Sequence, residues 1–163
     1  MKKILYLLFV LSIGLFVNSI NAMPNPWVDC GKDTVCGAKK AGFELPIQLN
    51  DYSVRAMEGL YELRFPLDKK REVILRKSQT YEGISYSNGI IDISGDYNNY
   101  PINKTIYLKN GVAFNVRGKK DKFYVSNFAD ETGYYSFYCE QGLKTKDLKK
   151  LYKMVKSAES TKK

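Results

Sequence analysis

Apolar residues run from Ile4 to Val17, broken only by Ser12 and Gly14, and then give way to shorter, periodic patterns. Lys32 to Phe43 reads as a short helix: Asp33 can cap it, Val35, Ala38 and Ala41 lie near one face, and Gly42 ends it, with Gly37 as a weak point. Period two follows. Tyr52, Val54 and Ala56 alternate against Ser53 and Arg55, then Tyr61, Leu63 and Phe65 against Glu62 and Arg64, with Gly59 at the turn between the two runs. Pro66 to Arg71 is a polar turn, and Glu72 to Gln79 returns as a third strand with Val73 and Leu75 inward. Thr80 to Asn103 is rich in Gly, Asn, Ser, Asp and Tyr and predicts mostly loop, only Gly89 to Ile93 being strand-like. Thr105 to Leu108 and Val112 to Arg117 flank Lys-Asn-Gly, a strong hairpin signal. Phe123 to Phe128 and Tyr134 to Cys139 form a second hairpin across Ala-Asp-Glu-Thr-Gly. Thr145 to Ala158 places Leu148, Leu151, Tyr152 and Val155 at the i, i+3, i+4, i+7 spacing of an amphipathic helix whose remaining surface is basic. Strands bracketed by helices, without βαβ alternation, predict an α+β domain. It would hold an antiparallel sheet of about six or seven strands with a short N-terminal helix and the C-terminal amphipathic helix packed on it.

The first apolar run changes the setting. Lys2 and Lys3 before it and Ala22 after it give the layout of a secretory signal peptide, residues 1–22, followed by a single domain over 23–163. The run is shorter than the ~20 residues of a membrane span. Ile20 is larger than the small residue usual near a cleavage site, so a retained N-terminal anchor is the alternative. Cleavage near Ala22 makes the protein extracytoplasmic, periplasmic or secreted. The two leader lysines carry no matching acid, so the net charge falls from +9 for the whole chain to +7 after cleavage. That excess favours a protein or an anionic envelope polymer as partner. Nucleic acid is disfavoured, because the chain is exported and its basic residues mix with acids.

There is no histidine, which removes Ser-His and Cys-His nucleophiles, imidazole bases and nearly all zinc sites. No catalytic residue, cofactor or metal is assigned. Asp92 to Asn99 offers oxygens for a calcium ion but lacks the spacing and distal Glu of an EF-hand loop, and its residue types are those of ordinary turns. Of the three cysteines, Cys30 and Cys36 close a loop small enough to form locally, worth about 2 kcal/mol on the loop-entropy model, against about 5 for a bridge from either to Cys139. The local pair is expected, with Cys139 left over. Tyr134 and Tyr138 fall on the strand register opposite Tyr135, Phe137 and Cys139, and Tyr124 opposite Phe123 and Val125. With Arg117, Lys119, Lys120 and Lys122 nearby, Tyr124, Tyr134 and Tyr138 form a candidate binding face of rigid amphipathic rings and charge. The competing reading packs these rings against one another within the sheet. Lys149, Lys150, Lys153 and Lys156 give the last helix a second option, contact with an anionic membrane surface, against the simpler arrangement in which its apolar stripe covers the sheet.

Asn25-Pro26-Trp27 with Cys30, Ala41-Gly42-Phe43, Arg76-Lys77-Ser78, Asp92 to Asn98, Asn110-Gly111-Val112 and Gly133-Tyr134-Tyr135-Ser136 carry a resemblance across most of the mature chain. Together they resemble small exported Firmicutes proteins of unknown function and, more distantly, the extracytoplasmic domain attached to some anti-sigma factors and sporulation lipoproteins. The resemblance implies a curved antiparallel sheet backed by helices and no known catalytic residues. The chain departs from the anti-sigma pattern in having neither a cytoplasmic sigma-binding part nor a transmembrane helix, so a signal-transmitting role is not carried over. The first functional expectation is therefore a secreted or envelope-resident, non-catalytic binding or regulatory module. The second is a proteinaceous inhibitor of an extracellular hydrolase that inserts the loop Thr80 to Asn103. An uncharacterised hydrolase using carboxylates or a Ser-Lys pair ranks third.

Overall fold

The computed structural model describes residues 25–45, 49–80, 84–85 and 89–160; the leader read as a signal peptide lies outside the described residues. Strand β1 (Val28–Gly31) leads into helix α1 (Thr34–Ala41). Asp33 caps the helix, its carboxylate accepting from the N–H groups of Val35 and Cys36 at 2.9 and 3.0 Å. Gly42 N–H closes the other end on the Ala38 carbonyl. A Cys30–Cys36 disulfide ties β1 to α1, and Cys139 is a buried free thiol whose pKa burial pushes up. The short-loop argument therefore picked the right pair.

Strands β2 (Ser53–Met57), β3 (Leu60–Asp68) and β4 (Arg71–Ser78) continue as a meander. Strands β5 (Ile84–Ser85) and β6 (Ile91–Asp92) form a separate two-stranded ribbon. A second meander follows: β7 (Ile102–Tyr107), β8 (Ala113–Lys119), β9 (Lys122–Asp130) and β10 (Gly133–Leu143), closed by helix α2 (Thr145–Ser160). Pairing of β10 with β4 joins the meanders into one open antiparallel sheet in the order β1-β2-β3-β4-β10-β9-β8-β7. The architecture is α+β, with eight strands in the main sheet rather than six or seven. The strand missing from the sequence pattern is β1, whose four residues, ending in glycine, are too few to show alternation. The strand-like Gly89 to Ile93 contributes only β6, and to the ribbon, not to the main sheet.

Alternation sorts the sheet into two faces. Val54, Leu63, Leu75, Phe137 and Val116 belong to the buried cluster on the helix side. Both helices pack there. An added Cβ on Gly37 of α1 would come within 2.8 Å of the Tyr61 ring, so the helix lies directly on β3. Leu148, Leu151 and Val155 of α2 are buried, and the Tyr152 ring meets Phe128 edge-on at 5.4 Å, above the Phe128–Tyr135 stack at 4.6 Å. Asp147 fixes the start of α2: it accepts from the Lys144 N–H at 2.9 Å and pairs with Arg71 Nη1 at 2.7 Å. Burial opposes ionisation of Asp147, but these bonds outweigh it and hold the carboxyl below its ordinary pKa.

Candidate functional site

The face away from the helices carries the chemistry. One polar residue per strand lines up across the whole sheet: Asp29, Arg55, Glu62, Arg76, then Ser136, Asn127, Asn115 and Thr105 are successive cross-strand partners. At one end of this row Glu62 is fully buried and receives Arg64 Nε and Arg76 Nη2, each at 2.8 Å. Arg55 stands 3.7 Å from it. The Trp27 ring lies 5.2 Å from the Arg55 guanidinium and 5.1 Å from that of Arg76. In the middle, the Asn127 amide and the Ser136 hydroxyl are buried without a hydrogen-bond partner among the described residues.

The chain from Ile90 to Asn98 crosses this face as a strap, β6 lying against β9 and β10. Ile90, Ile91 and Ile93 are buried beneath it, and Val125 faces it from the sheet. Two arginines hold it down. Arg76 Nη1 donates to the carbonyls of Ile93 and Ser94. Arg117, only 8 % exposed, pairs with Asp92 at 2.8 Å and donates to the Asn98 carbonyl at 3.0 Å and to the Asp96 carbonyl. Gly95 suits this place because the backbone there is left-handed, φ 69°, and a Cβ would press on Arg76 Nη1. Asp92 and Asp96, the acids weighed as calcium ligands, are engaged otherwise. Asp92 serves Arg117 and the Ser94 N–H; Asp96 accepts from the Asn98 N–H and the Tyr100 hydroxyl. Among the described residues no three His, Cys, Asp or Glu side chains converge as a metal site.

The expected binding residues divide among three places. Arg117 is under the strap. Tyr124 and Tyr138 are half-buried on the same side, Tyr124 stacked on Tyr100 at 5.1 Å. Burial and the Asp96 hydrogen bond push the Tyr100 phenol up to about 12. Alternation places Tyr124 opposite both Phe123 and Val125, but the pairing of β8 with β9 slips at Tyr124, so Gly118 faces Phe123 while Arg117 faces Val125. That bulge keeps Phe123 in the helix-side core while Val125 stays on the strap side. Tyr134 is half-buried beside Ser78 at the far end of β10. Lys119, Lys120 and Lys122, by contrast, are exposed together at the β8–β9 turn, where Lys120 holds a left-handed φ of 58°. Lysine there costs about 1–2 kcal/mol that glycine would not.

This basic turn belongs to a longer strip. From Tyr97 to Lys120 the chain contains no acid but carries Lys104, Lys109, Arg117, Lys119 and Lys120. Except for the buried Arg117, these cations are exposed along β7, β8 and the turns that follow them, and they pair with no carboxylate among the described residues. Asp121 at the tip is occupied by Lys144 at 3.3 Å. The strip runs beside β7, the last strand of the open sheet, and a cavity adjoins each half of that strand. One of about 210 Å³ includes Asp92, Tyr97, Asn103 and Arg117; the other, about 540 Å³, includes Tyr107, Val112, Ala129 and Tyr152 with the acids Asp130 and Glu131. Tyr97 and Tyr107 are 81 % and 71 % exposed, rare values for such large rings. Lys156 lines the larger cavity and pairs with Asp130 at 2.7 Å, while Lys150 and Lys153 are exposed and Lys149 is half-buried on α2. No described helix is long and apolar enough to cross a membrane.

Set against known protein families, characterised proteins and solved structures, the chain matches none.

Proposed function

We propose that the chain is a secreted or envelope-resident, non-catalytic binding module that holds a protein or anionic envelope polymer against its basic sheet edge. The observation that carries this reading is the acid-free strip from Tyr97 to Lys120, whose exposed lysines lie unneutralised beside β7 and the β8–β9 turn. Cations that outnumber the acids of their strip, with Asp121 at the turn already held by Lys144, repel one another, and an anion relieves that repulsion. Lys120 strengthens the case, since a strained left-handed lysine at a turn where glycine fits better is a cost that stability alone does not explain. The Cys30–Cys36 bridge suits an oxidising compartment, in keeping with the signal-like leader. The described part of the loop read as an inhibitor's inserted element packs on the sheet under Arg76 and Arg117, which favours the binding module over the inhibitor.

Co-sedimentation with isolated cell envelopes across a salt series tests the proposal, using the oxidised protein, its Lys119→Glu/Lys120→Glu/Lys122→Glu variant, and envelopes with and without protease treatment. Retention that the triple variant loses supports it. Protease sensitivity then points to a protein partner, and resistance with salt sensitivity to an anionic polymer. Equal retention of the variant, or no retention of either form, refutes it.

A further inference from the structure

Strand β7 is an open pairing edge. The Leu108 N–H donates to the Val112 carbonyl at 2.9 Å, so Leu108 and Val112 are a hydrogen-bonded pair of the β7–β8 hairpin. Bonded and non-bonded pairs alternate along an antiparallel ladder. The register Tyr107–Ala113, Thr105–Asn115, Asn103–Arg117 therefore consists of non-bonded pairs. The N–H and C=O groups of Asn103, Thr105 and Tyr107 point away from β8, and no described strand lies beyond them. The opposite edge differs: β1 has four residues and an irregular register between Asp29 and Gly31. β7 has six residues in unbroken register with β8, and of the usual edge guards it carries one lysine, Lys104, with Pro101 just before it.

We infer that β7 takes up an extended acidic peptide as a further strand of the sheet; the inference rests on the reading of the basic edge as the contact surface. Asn103, Thr105 and Tyr107 supply the main-chain hydrogen bonds, and Lys104, Lys109, Lys119 and Lys120 supply charge that an acidic strand complements. The two cavities, lined in part by Asp92, Asp130 and Glu131, receive alternate apolar side chains of the peptide. Asn103 and Tyr107 line one each and lie about 13 Å apart along the strand, the spacing of residues i and i+4 in a bound peptide. A second copy of the chain is the poorer occupant, because pairing β7 with itself brings two acid-free lysine strips within about 5 Å of each other, where like charges destabilise.

The test is fluorescence anisotropy of the labelled peptide Thr-Glu-Val-Glu-Val-Glu-Val-Thr with the full chain, oxidised, coupled to amide hydrogen exchange. Saturable binding with slowed exchange at Asn103, Thr105 and Tyr107 is expected. N-methylating alternate peptide residues should weaken binding about tenfold or more, as loss of two hydrogen bonds requires. Thr105→Pro should do the same in the protein, since the N–H it removes faces outward and contributes nothing to the β7–β8 ladder. Should that variant fail to fold, the N-methylated peptide decides alone. Equal binding of methylated and unmethylated peptides, or slowed exchange only at the Lys119–Lys122 turn, overturns strand addition in favour of simple charge attraction. A dimer with protected β7 amides before peptide is added overturns it in favour of a second copy. If envelope retention persists with its lysine dependence while the peptide leaves β7 exchange unchanged, strand addition fails and the binding module stands. If retention is absent as well, both fail.

Discussion

Replacing Arg117 with leucine isolates what holds the strap to the sheet. The change removes a 2.8 Å ion pair with Asp92 and the guanidinium bonds to the Asn98 and Asp96 carbonyls. It takes the Arg117 guanidinium from the buried Asp92 carboxylate, a loss of about 3–5 kcal/mol if the strap stays down. Two further effects set what the strap does instead. Burial of Ile90, Ile91 and Ile93 resists lifting, at about 1.5–3 kcal/mol for each side chain, together with the Arg76 bonds to the Ile93 and Ser94 carbonyls. Rehydration of the unpartnered Asn127 amide and Ser136 hydroxyl assists it, at about 1–3 kcal/mol for each group. Rehydration offsets part of that resistance and relief of the Asp92 carboxylate the remainder, so Arg117 decides the balance. Arg117→Leu should therefore open the strap locally: amides of 90–98 should lose most of their protection in hydrogen-exchange mass spectrometry, while those of β9 and β10 keep theirs. Urea unfolding should show a global loss of no more than about 3 kcal/mol, because opening relieves the buried carboxylate. Adding Asp92→Leu should restore at least about 1 kcal/mol. Unchanged strap protection, or protection lost evenly across the sheet, would refute this account of Arg117 as a clamp.

Lys120→Gly should raise stability by about 1 kcal/mol in urea melts by relieving the left-handed lysine, yet weaken envelope retention; a variant no more stable than the parent would show that the turn is not strained. Asp147→Asn should loosen α2 from β4 and remove an acid-dependent part of the stability. Because the folded carboxyl lies below its ordinary pKa of 3.8, that part is fully present above the unfolded value and is lost as pH falls below it through the folded value, so melts of parent and variant should converge in strong acid. Gly37→Ala should cost about 1–3 kcal/mol by pushing α1 off the Tyr61 ring, measurable as a lower thermal midpoint, and a neutral result would mean that the helix can shift freely on β3. Reduction of Cys30–Cys36, or Cys30→Ser, should cost about 2 kcal/mol and raise exchange in β1 and α1 first, whereas simultaneous loss across the sheet would mean that the bridge supports more than the N-terminal edge.

What the sequence determined by itself is whatever depends on neighbours a few residues away. Alternation placed Tyr135, Phe137 and Cys139 in the core and set Tyr134 and Tyr138 on the other face; the 3.6-residue period placed Leu148, Leu151 and Val155 of α2 against the sheet. The short separation of Cys30 and Cys36 favoured their pairing. Lys-Asn-Gly marked the β7–β8 turn, although the loop runs over Lys109 to Gly111, with Gly111 at φ 82°, in place of a two-residue turn. Tertiary structure alone decided which strands are neighbours. A period-two pattern gives a residue its face but not its cross-strand partner, so neither the insertion of β10 between β4 and β9 nor the polar row from Asp29 to Thr105 was legible, even though each member sits in the polar phase of its own strand. The same reason hid the fate of Arg117. Its charge and position suggested a free cation on a tyrosine face, but its partner Asp92 lies 25 residues earlier on a segment that looks like ordinary loop, and only the folded sheet brings the strap across to meet it. The exposed lysines of β7 and its neighbouring turns were plain in the composition. That they share one open edge follows from the strand order, which is set by long-range pairing and leaves no local mark.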